Sequence, residues 1–199
     1  MVVMSRRLVL ASASAARLRL LQAAGLDPEV VVSGIDESLV TGLQSDELAR
    51  ELAVAKAMAV AGREADALVL GCDSVLDVDG VPYGKPADAA EAIDRWHTMR
   101  GRSGTLVTGH CICDSRTGMV AEAVIGTLVW FGRPTDEEIE AYVASGEPLG
   151  VAGGFTLDGR SAPFIEGIDG DPGNVIGVSL PLVRDLLAEH GVRITDLWR

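Results

Sequence analysis

A continuous apolar run that ends in an acidic residue constrains the fold of this chain more than any other feature. Leu68, Val69 and Leu70 have the pattern of a strand buried on both faces, and Asp73 follows at its carboxyl end. In open α/β sheets, ligands bind beyond the carboxyl ends of strands. The sequence therefore predicts an α/β fold with a ligand cleft beside Asp73.

The next segment predicts a hairpin that returns the chain to this cleft. Residues 75–78 and 81–83 flank Asp79-Gly80, a dipeptide typical of hairpin turns. The hairpin delivers Lys85, so we expect a carboxylate and an ammonium to share one cleft. The alternative interpretation is a strand that ends in a turn-forming aspartate, with a solvated lysine beyond it.

Composition favours one domain with an aliphatic core over residues 1–199. Of the 199 residues, 48% are hydrophobic and only 4% are aromatic. Lysine and arginine number 17 against 29 acidic residues, which gives a net charge of −12. This charge disfavours a nucleic-acid polymer, whose phosphates need a basic surface. It allows a small phosphorylated ligand, provided that a metal ion and a few local cations offset the charge.

Cysteine usage and hydropathy predict a cytoplasmic protein without membrane association. The three cysteines, Cys72, Cys111 and Cys113, form neither an even-numbered disulfide framework nor zinc-type pairs. The apolar segment at residues 8–11 is too short for a secretory signal, and no later run approaches the length of a membrane span.

Strand and helix signals alternate, and two long strand candidates follow, which predicts a mixed sheet flanked by helices. Ser45 is the expected cap of one helix, and Thr135 with Glu138 forms a capping-box pattern, as does Asp88 with Glu91. Besides the strand and hairpin, we expect strands at residues 8–10, 29–33, 105–114, 120–131 and 164–168, and helices at 15–24, 46–61, 88–101, 135–146 and 181–191.

The first strand leads into a serine-rich turn that suits phosphate. Ser12 and Ser14 lie in this turn, and Arg17 falls in the first turn of the next helix. Free N–H groups at a helix start attract anions, and a guanidinium adds a bidentate contact. Serines at such positions also serve as ordinary helix caps, and this remains the alternative.

Two further candidates are a lysine and a pair of acids. Lys56 borders the apolar stripe of its helix near Leu52, so it can reach into a cleft or extend along the surface into water. Asp36 and Glu37 follow a strand and a glycine, where their oxygens could hold a Mg²⁺-like ion or stay solvated.

One motif indicates a different enzyme class. Residues 77–81, DVDGV, resemble the nucleophile motif of haloacid-dehalogenase-type phosphatases, in which Asp77 would form a phosphoaspartate. The same residues also fit an ordinary hairpin turn. A phosphatase that uses Asp77 is therefore the alternative enzyme.

Taken in order, these motifs resemble the Maf family of nucleoside triphosphate pyrophosphatases. The resemblance implies an inosine-triphosphatase-like fold with a central mixed sheet, two lobes and a cleft, commonly as a homodimer. The residues that carry it are LVLASAS at 8–14 with Arg17, Asp36-Glu37, Lys56, Cys72-Asp73-Ser74, Gly84-Lys85-Pro86, Thr108-Gly109, AGGF at 152–155 and NVIGVSLP at 174–181.

The resemblance also implies an activity and a role for each candidate. The reaction would be hydrolysis of a nucleoside triphosphate, standard or base-modified, to the monophosphate and pyrophosphate with a divalent cation such as Mg²⁺, Mn²⁺ or Co²⁺. Asp73 would be the general base and would hold the metal together with Glu37. The phosphate chain would be bound by Ser12, Ser14, Arg17, Lys56 and Lys85. Because the family is also linked to arrest of septum formation, a nucleotide-binding regulator of cell division is an alternative to an enzyme.

Three departures from the family pattern concern substrate choice. Ala16 stands where many relatives have arginine, and it also lacks the bulky aromatic side chain of the 7-methyl-GTP branch. Ser74 and Asp158 stand where the thymidine- and uridine-preferring branch has threonine and glutamine. We therefore predict a broad nucleoside triphosphatase.

Overall fold

A mixed sheet forms the centre of the computed structural model, which describes residues 6–199. Within those residues the sheet has seven strands, in the order β2-β1-β3-β5-β6-β7, with β4 paired to the end of β3. The strands are β1 (Arg7–Leu10), β2 (Glu29–Val30), β3 (Ala67–Val78), β4 (Val81–Tyr83), β5 (Ser103–Asp114), β6 (Val120–Phe131) and β7 (Ile165–Asp169). Strands β1, β2 and β3 are parallel, whereas the other neighbours are antiparallel.

Helices cover both faces of this sheet because side chains alternate along the central strands. Val69 packs against α2 on one face, while Leu68 and Leu70 pack with α1 and α6 on the other. The predicted α/β fold with a mixed sheet between helices is confirmed. The helices are α1 (Ala15–Ala23), α2 (Ser45–Ala61), α3 (Ala89–Met99), α4 (Asp136–Ala144), α5 (Pro172–Ile176) and α6 (Leu180–Glu189).

Two glycines allow α2 to approach the sheet closely. A Cβ atom at Gly71 of β3 would overlap the backbone carbonyl of Ala53, and one at Gly109 of β5 would overlap that of Ala49. The helix also presents small alanines to the sheet. This close packing brings Lys56, near the carboxyl end of α2, within reach of the middle of β3.

One part of the core is a cluster of aromatic side chains that packs between the sheet and the helices α3 and α4. Trp96 is fully buried and makes edge-on contacts with Phe131, Tyr142 and Phe164. Its indole Nε1 donates a hydrogen bond of 2.9 Å to the carbonyl of Gly154. This cluster anchors the loop that follows α4, whereas the rest of the core is aliphatic, as predicted.

The prediction for the strand that carries Asp73 was wrong in its length. Strand β3 continues to Val78, so Asp73 lies within the strand and not at its end. The strand continues because β5 pairs with it from Leu68 to Asp77. On the opposite edge, β1 pairs only as far as Leu70 and β4 begins only at Leu76. The edge of β3 beside Asp73 is therefore open, and this gap separates two lobes.

Other boundaries also differ from the predictions. Strand β2 ends at Val30 instead of residue 33, after which the chain leaves the sheet. Ser45 does not cap α2, because its hydroxyl donates to Asp77 Oδ2 at 2.5 Å. Thr135 and Glu138 form the complete capping box that was predicted. Glu91 instead accepts a hydrogen bond from Ala87 N, so its box with Asp88 is only half formed.

Two further observations concern the cysteines and the helices. Cys72, Cys111 and Cys113 are buried free thiols, so none of them forms a disulfide. In the part of the chain that the structure describes, no helix combines the length and the apolar character that a membrane span requires.

Candidate active site

A cavity of about 650 Å³ opens at the unpaired edge of β3. This volume falls within the range of small-molecule sites, which is about 300–1,000 Å³. The cavity brings together the residues that the resemblance assigns to the site, namely Ser12, Ser14, Ala16, Arg17, Glu37, Lys56, Asp73, Ser74, Lys85 and Asp158. Asp36, the other candidate acid, does not line it.

A buried ion pair lies at the base of the cavity. Lys56 Nζ is 2.5 Å from Asp73 Oδ1 and 2.7 Å from Glu37 Oε1. The Lys56 and Asp73 side chains are only 9% and 11% exposed, so Lys56 reaches into the cleft instead of extending along the surface. Burial raises the pKa of Asp73, while Lys56 and Arg17 oppose the shift. A carboxylate held in this way is a candidate proton acceptor.

Glu37 comes from the short 3₁₀ turn Glu37–Leu39. Asp36 caps this turn, because its Oδ1 accepts hydrogen bonds from the backbone and side chain of Ser38 at 3.0 and 2.6 Å. Partial burial acts to raise the pKa of Glu37, but Lys56, Lys85 and Arg17 together lower it. Asp36 therefore shapes the turn, and Glu37 faces the cations as a carboxylate.

The donor set fits a hard divalent ion that is shared with a ligand. Mg²⁺ in proteins is commonly bound by one or two carboxylates together with substrate phosphates. Asp73 and Glu37 supply two such carboxylates, both in contact with the Lys56 ammonium. Among residues 6–199, no cluster of three or more His, Cys, Asp or Glu side chains could hold a metal by itself.

Arg17 is fixed at the start of α1 by three different acceptors. Its Nε, Nη1 and Nη2 donate to Gly177 O at 2.7 Å, Ser12 Oγ at 3.0 Å and Ser74 Oγ at 3.1 Å. A guanidinium has five N–H groups, so these three bonds leave two that meet no acceptor among residues 6–199 and are free for a ligand. Ser14 caps the helix by accepting from the Arg17 backbone N–H at 3.3 Å.

Ser12 is oriented by the hydrogen bonds that it accepts. Its oxygen accepts from Ser14 N at 3.2 Å as well as from Arg17 Nη1. Both lone pairs are thereby used, and the hydroxyl proton is left to donate to a ligand. This proton, the helix start and the guanidinium together form an anion site.

Lys85 and Asp158 lie on loops that border the cavity. The carbonyls of Gly84 and Lys85 accept hydrogen bonds of 2.5 and 3.5 Å from Arg95, which fixes the loop after β4. Asp158 Oδ2 is 3.7 Å from Arg19 Nη2, and both side chains are partly exposed. Sequence reasoning missed Arg19 because an exposed arginine on a helix has no local signal of a partner.

Asp77 does not line the cavity. Its carboxylate accepts from Ser45 Oγ and, at 2.8 Å, from Gly80 N. These two hydrogen bonds explain Asp77 as a structural residue of the hairpin turn, and no catalytic role is needed to explain it.

Sequence reasoning also assigned no role to a polar layer behind Arg17. Thr108, His110 and Asn174 are fully buried, and they connect β5 to the loop that holds Gly177. A polar residue such as His110 within an otherwise apolar strand is the one signal that could have found this layer.

Comparison with known proteins identifies the family. The family model described as Maf-like protein matches residues 7–190. Three similar proteins are each named nucleoside triphosphate pyrophosphatase. The one from Streptomyces avermitilis is 67% identical over 195 residues (97% of this chain, 95% of the relative). That from Streptomyces coelicolor is 65% identical over 195 residues (97% and 95%). That from Salinispora tropica is 59% identical over 197 residues (96% and 87%). This chain therefore belongs to the Maf-like protein family.

Proposed function

We propose that this protein hydrolyses a nucleoside triphosphate to the nucleoside monophosphate and pyrophosphate. The observation that carries the proposal is the buried Lys56–Asp73 pair, which lies in a nucleotide-sized cavity beside the Arg17 anion site. The names of the similar proteins support the same reaction.

The start of α1 and the two lysines would bind the phosphate chain. Ser12 offers its hydroxyl proton and Arg17 its two free N–H groups, while the positive end of the helix dipole at the start of α1 would favour the same anion. Lys56 and Lys85 would neutralise further phosphate charge. Such fixed donors act by positioning and electrostatic stabilisation, which are the main needs of a phosphoryl-type displacement.

Asp73 would accept the proton of the attacking water. Burial raises its pKa, which makes the carboxylate a stronger base, and contact with Lys56 holds its orientation. When phosphate draws the Lys56 ammonium toward the substrate, Oδ1 of Asp73 is released for the water.

Asp73 and Glu37 would also hold a divalent cation together with the phosphates. Such an ion lowers the pKa of bound water and offsets the charge of the leaving pyrophosphate. The predicted homodimer, the cytoplasmic location, the removal of base-modified nucleotides and the link to septum formation remain predictions.

The first product should be pyrophosphate, because the anion site is expected to place the α-phosphorus next to Asp73. In H₂¹⁸O, we expect one ¹⁸O atom in the nucleoside monophosphate, measured by mass spectrometry. Orthophosphate as the first product, from a phosphorylated Asp77, would favour the phosphatase alternative. Tight nucleotide binding without any product would favour the regulator of cell division.

Discrimination between bases should be weak, because Ala16 and Asp158 offer no fixed donor to a base edge. We expect kcat/KM for dTTP, UTP, CTP, GTP and ATP to differ by less than about 100-fold, as is typical when shape alone discriminates. The double variant Ala16→Arg, Asp158→Gln should prefer dTTP and UTP.

The matched control for this double variant is Asp185→Gln. Asp185 is an exposed acid on α6 that contacts Arg184 and lies outside the cavity. Preferences that change equally in the control, or a wild type restricted to one base, would show that other residues set specificity.

A further inference from the structure

The polar layer behind Arg17 contains a chain of hydrogen bonds that leads from the cavity into the core. Arg17 Nη2 donates to Ser74 Oγ at 3.1 Å, and Ser74 Oγ is 2.9 Å from Thr108 Oγ1. Thr108 Oγ1 is in turn 3.1 Å from the backbone carbonyl of Asn174. Thr108 and Asn174 have no exposed surface.

The chemistry of the groups at the two ends determines which atom donates in each of these hydrogen bonds. A carbonyl oxygen only accepts, so the single hydroxyl proton of Thr108 is donated to Asn174 O. The contact between Thr108 and Ser74 must then use the Ser74 proton. A guanidinium only donates, which agrees with Ser74 Oγ as the acceptor from Arg17. Arg17 therefore donates to Ser74, Ser74 donates to Thr108, and Thr108 donates to Asn174.

This direction determines what Ser74 can do at the cavity wall. Its proton is used on Thr108, so Ser74 has no donor for a substrate and presents only oxygen lone pairs. One of these accepts from Arg17. Ser74 therefore acts on a ligand through Arg17 and not through direct recognition of a base.

The far end of this series of hydrogen bonds is Asn174 in the short helix α5, which further hydrogen bonds hold in place. Asn174 Nδ2 donates to Leu106 O and Thr127 Oγ1, both at 3.0 Å. Ser179 N donates to His110 Nε2 at 2.8 Å, which leaves His110 Nδ1 to donate to Thr108 O at 3.1 Å.

The C-cap residue of α5 also contacts Arg17 directly, since Gly177 O accepts from Arg17 Nε at 2.7 Å. Burial lowers the pKa of His110 to about 4, so the neutral ring stays available as an acceptor. The guanidinium is thus connected to α5 and its C-cap Gly177 both directly and through Ser74 and Thr108.

We propose that Thr108 is a positioning residue for phosphate binding: through Ser74 it orients the Arg17 guanidinium, so that the two free N–H groups of Arg17 face the phosphate chain. The inference rests on the proposed function, because that function assigns Arg17 to phosphate.

The variant Thr108→Val tests the inference, since it removes the hydroxyl and nearly preserves the side-chain shape. It removes one of the two donors to Asn174 O, which keeps the hydrogen bond from Gly177 N at 3.0 Å, and it frees the Ser74 proton. We expect kcat/KM to fall about 10-fold, mainly through KM, and the affinity for inorganic tripolyphosphate, measured by calorimetry, to fall similarly. Thr108→Ser keeps the hydroxyl and should restore both values to within about threefold.

Thr127→Val is the matched control. Thr127 is equally buried, donates to Asp171 O at 3.1 Å and accepts from Asn174 Nδ2 at 3.0 Å, so it contacts the same anchor residue but has no hydrogen bond to Ser74 or Arg17. We expect a similar loss of melting temperature with kcat/KM within about twofold of wild type. An equal kinetic loss in both variants would show that Thr108 only stabilises the fold.

A double-mutant cycle tests whether Thr108 acts through Ser74. Because both side chains belong to the same series of hydrogen bonds, the losses of kcat/KM from Thr108→Val and Ser74→Ala should be less than additive. Fully additive losses would overturn the inference. If Thr108→Val fails to fold, Ser74→Ala alone should show the same loss of tripolyphosphate affinity, and unchanged affinity would overturn the inference.

Arg17→Lys separates this inference from the proposed function. If Arg17→Lys leaves hydrolysis and tripolyphosphate binding unchanged, the proposed phosphate site is wrong. If Arg17→Lys impairs both while Thr108→Val behaves as wild type, the function stands and only the role of Thr108 is wrong.

Discussion

Replacing Asp73 by asparagine should reduce turnover about 10²- to 10⁴-fold, the range expected when a general base is removed. The substitution preserves the shape of the side chain, so it opens no cavity in β3. It removes the negative charge that would accept a proton from water and contribute to the metal site. Nucleotide affinity should change little, because Ser12, Arg17 and Lys85 keep their positions. Steady-state pyrophosphate release and nucleotide binding by calorimetry measure the two effects separately.

Asp77→Asn is the matched control for this experiment. Asp77 lies on the same strand, but its carboxylate accepts from Ser45 and Gly80 outside the cavity. This variant should keep its turnover while its melting temperature falls. If Asp77→Asn were inactive and Asp73→Asn active, the phosphatase alternative would be correct. Circular dichroism of both variants shows whether a loss of turnover reflects chemistry or unfolding.

Arg17 and Lys85 could be predicted as site residues because their signals are local. The serine-rich turn before Arg17 is a helix start with acceptors for backbone N–H groups, and such starts depend on neighbouring residues. The Asp79-Gly80 turn likewise depends on local backbone preferences, since both residues have positive φ. These two signals place Arg17 and Lys85 in the lining of one cavity.

The position of Asp73 within β3 could not be predicted because it depends on distant strands. An apolar run shows that a strand exists, but the partner strands decide where it ends. Strand β5, some 40 residues further along the chain, pairs with β3 as far as Asp77, whereas β1 stops at Leu70. The cleft is therefore a property of unequal strand lengths, and no single segment contains that information.

Ser45 and Lys56 show how tertiary contacts override local patterns on a single helix. Ser45 has the chemistry of a helix cap, yet Asp77 offers a charged acceptor, and a hydrogen bond to a carboxylate is the stronger one. Lys56 lies at the edge of an apolar stripe, where the helical pattern permits either burial or exposure. Because α2 packs closely over Gly71 and Gly109, the Lys56 side chain is buried.

Chelation of divalent cations should stop hydrolysis. The protein has a net charge of −12 and must bind a polyanion. The cations at the cavity are partly neutralised by acids, since Lys56 contacts both Asp73 and Glu37. We therefore expect no pyrophosphate release in excess EDTA, and recovery when Mg²⁺, Mn²⁺ or Co²⁺ is added. The melting temperature should change little in EDTA, because the Lys56 ammonium can neutralise both carboxylates without a metal ion. Full activity of a metal-free preparation in EDTA would contradict this mechanism.

Glu37→Gln tests whether the metal requirement involves the residues proposed here. The glutamine keeps one oxygen donor but loses the charge, and the affinity of oxygen-ligand sites depends on the number of charged ligands. We expect the Mg²⁺ concentration for half-maximal activity to rise about 10-fold or more, while activity at saturating Mg²⁺ falls less than in Asp73→Asn. Glu51→Gln is the matched control, because Glu51 is an exposed acid of α2 that contacts Arg50 outside the cavity. Calorimetric titration with Mn²⁺ in the presence of tripolyphosphate gives a second readout that needs no turnover. If Glu37→Gln and Glu51→Gln bound Mn²⁺ equally well, Glu37 would not be a metal ligand, and the Lys56–Glu37 contact would serve only to hold the 3₁₀ turn over the cavity.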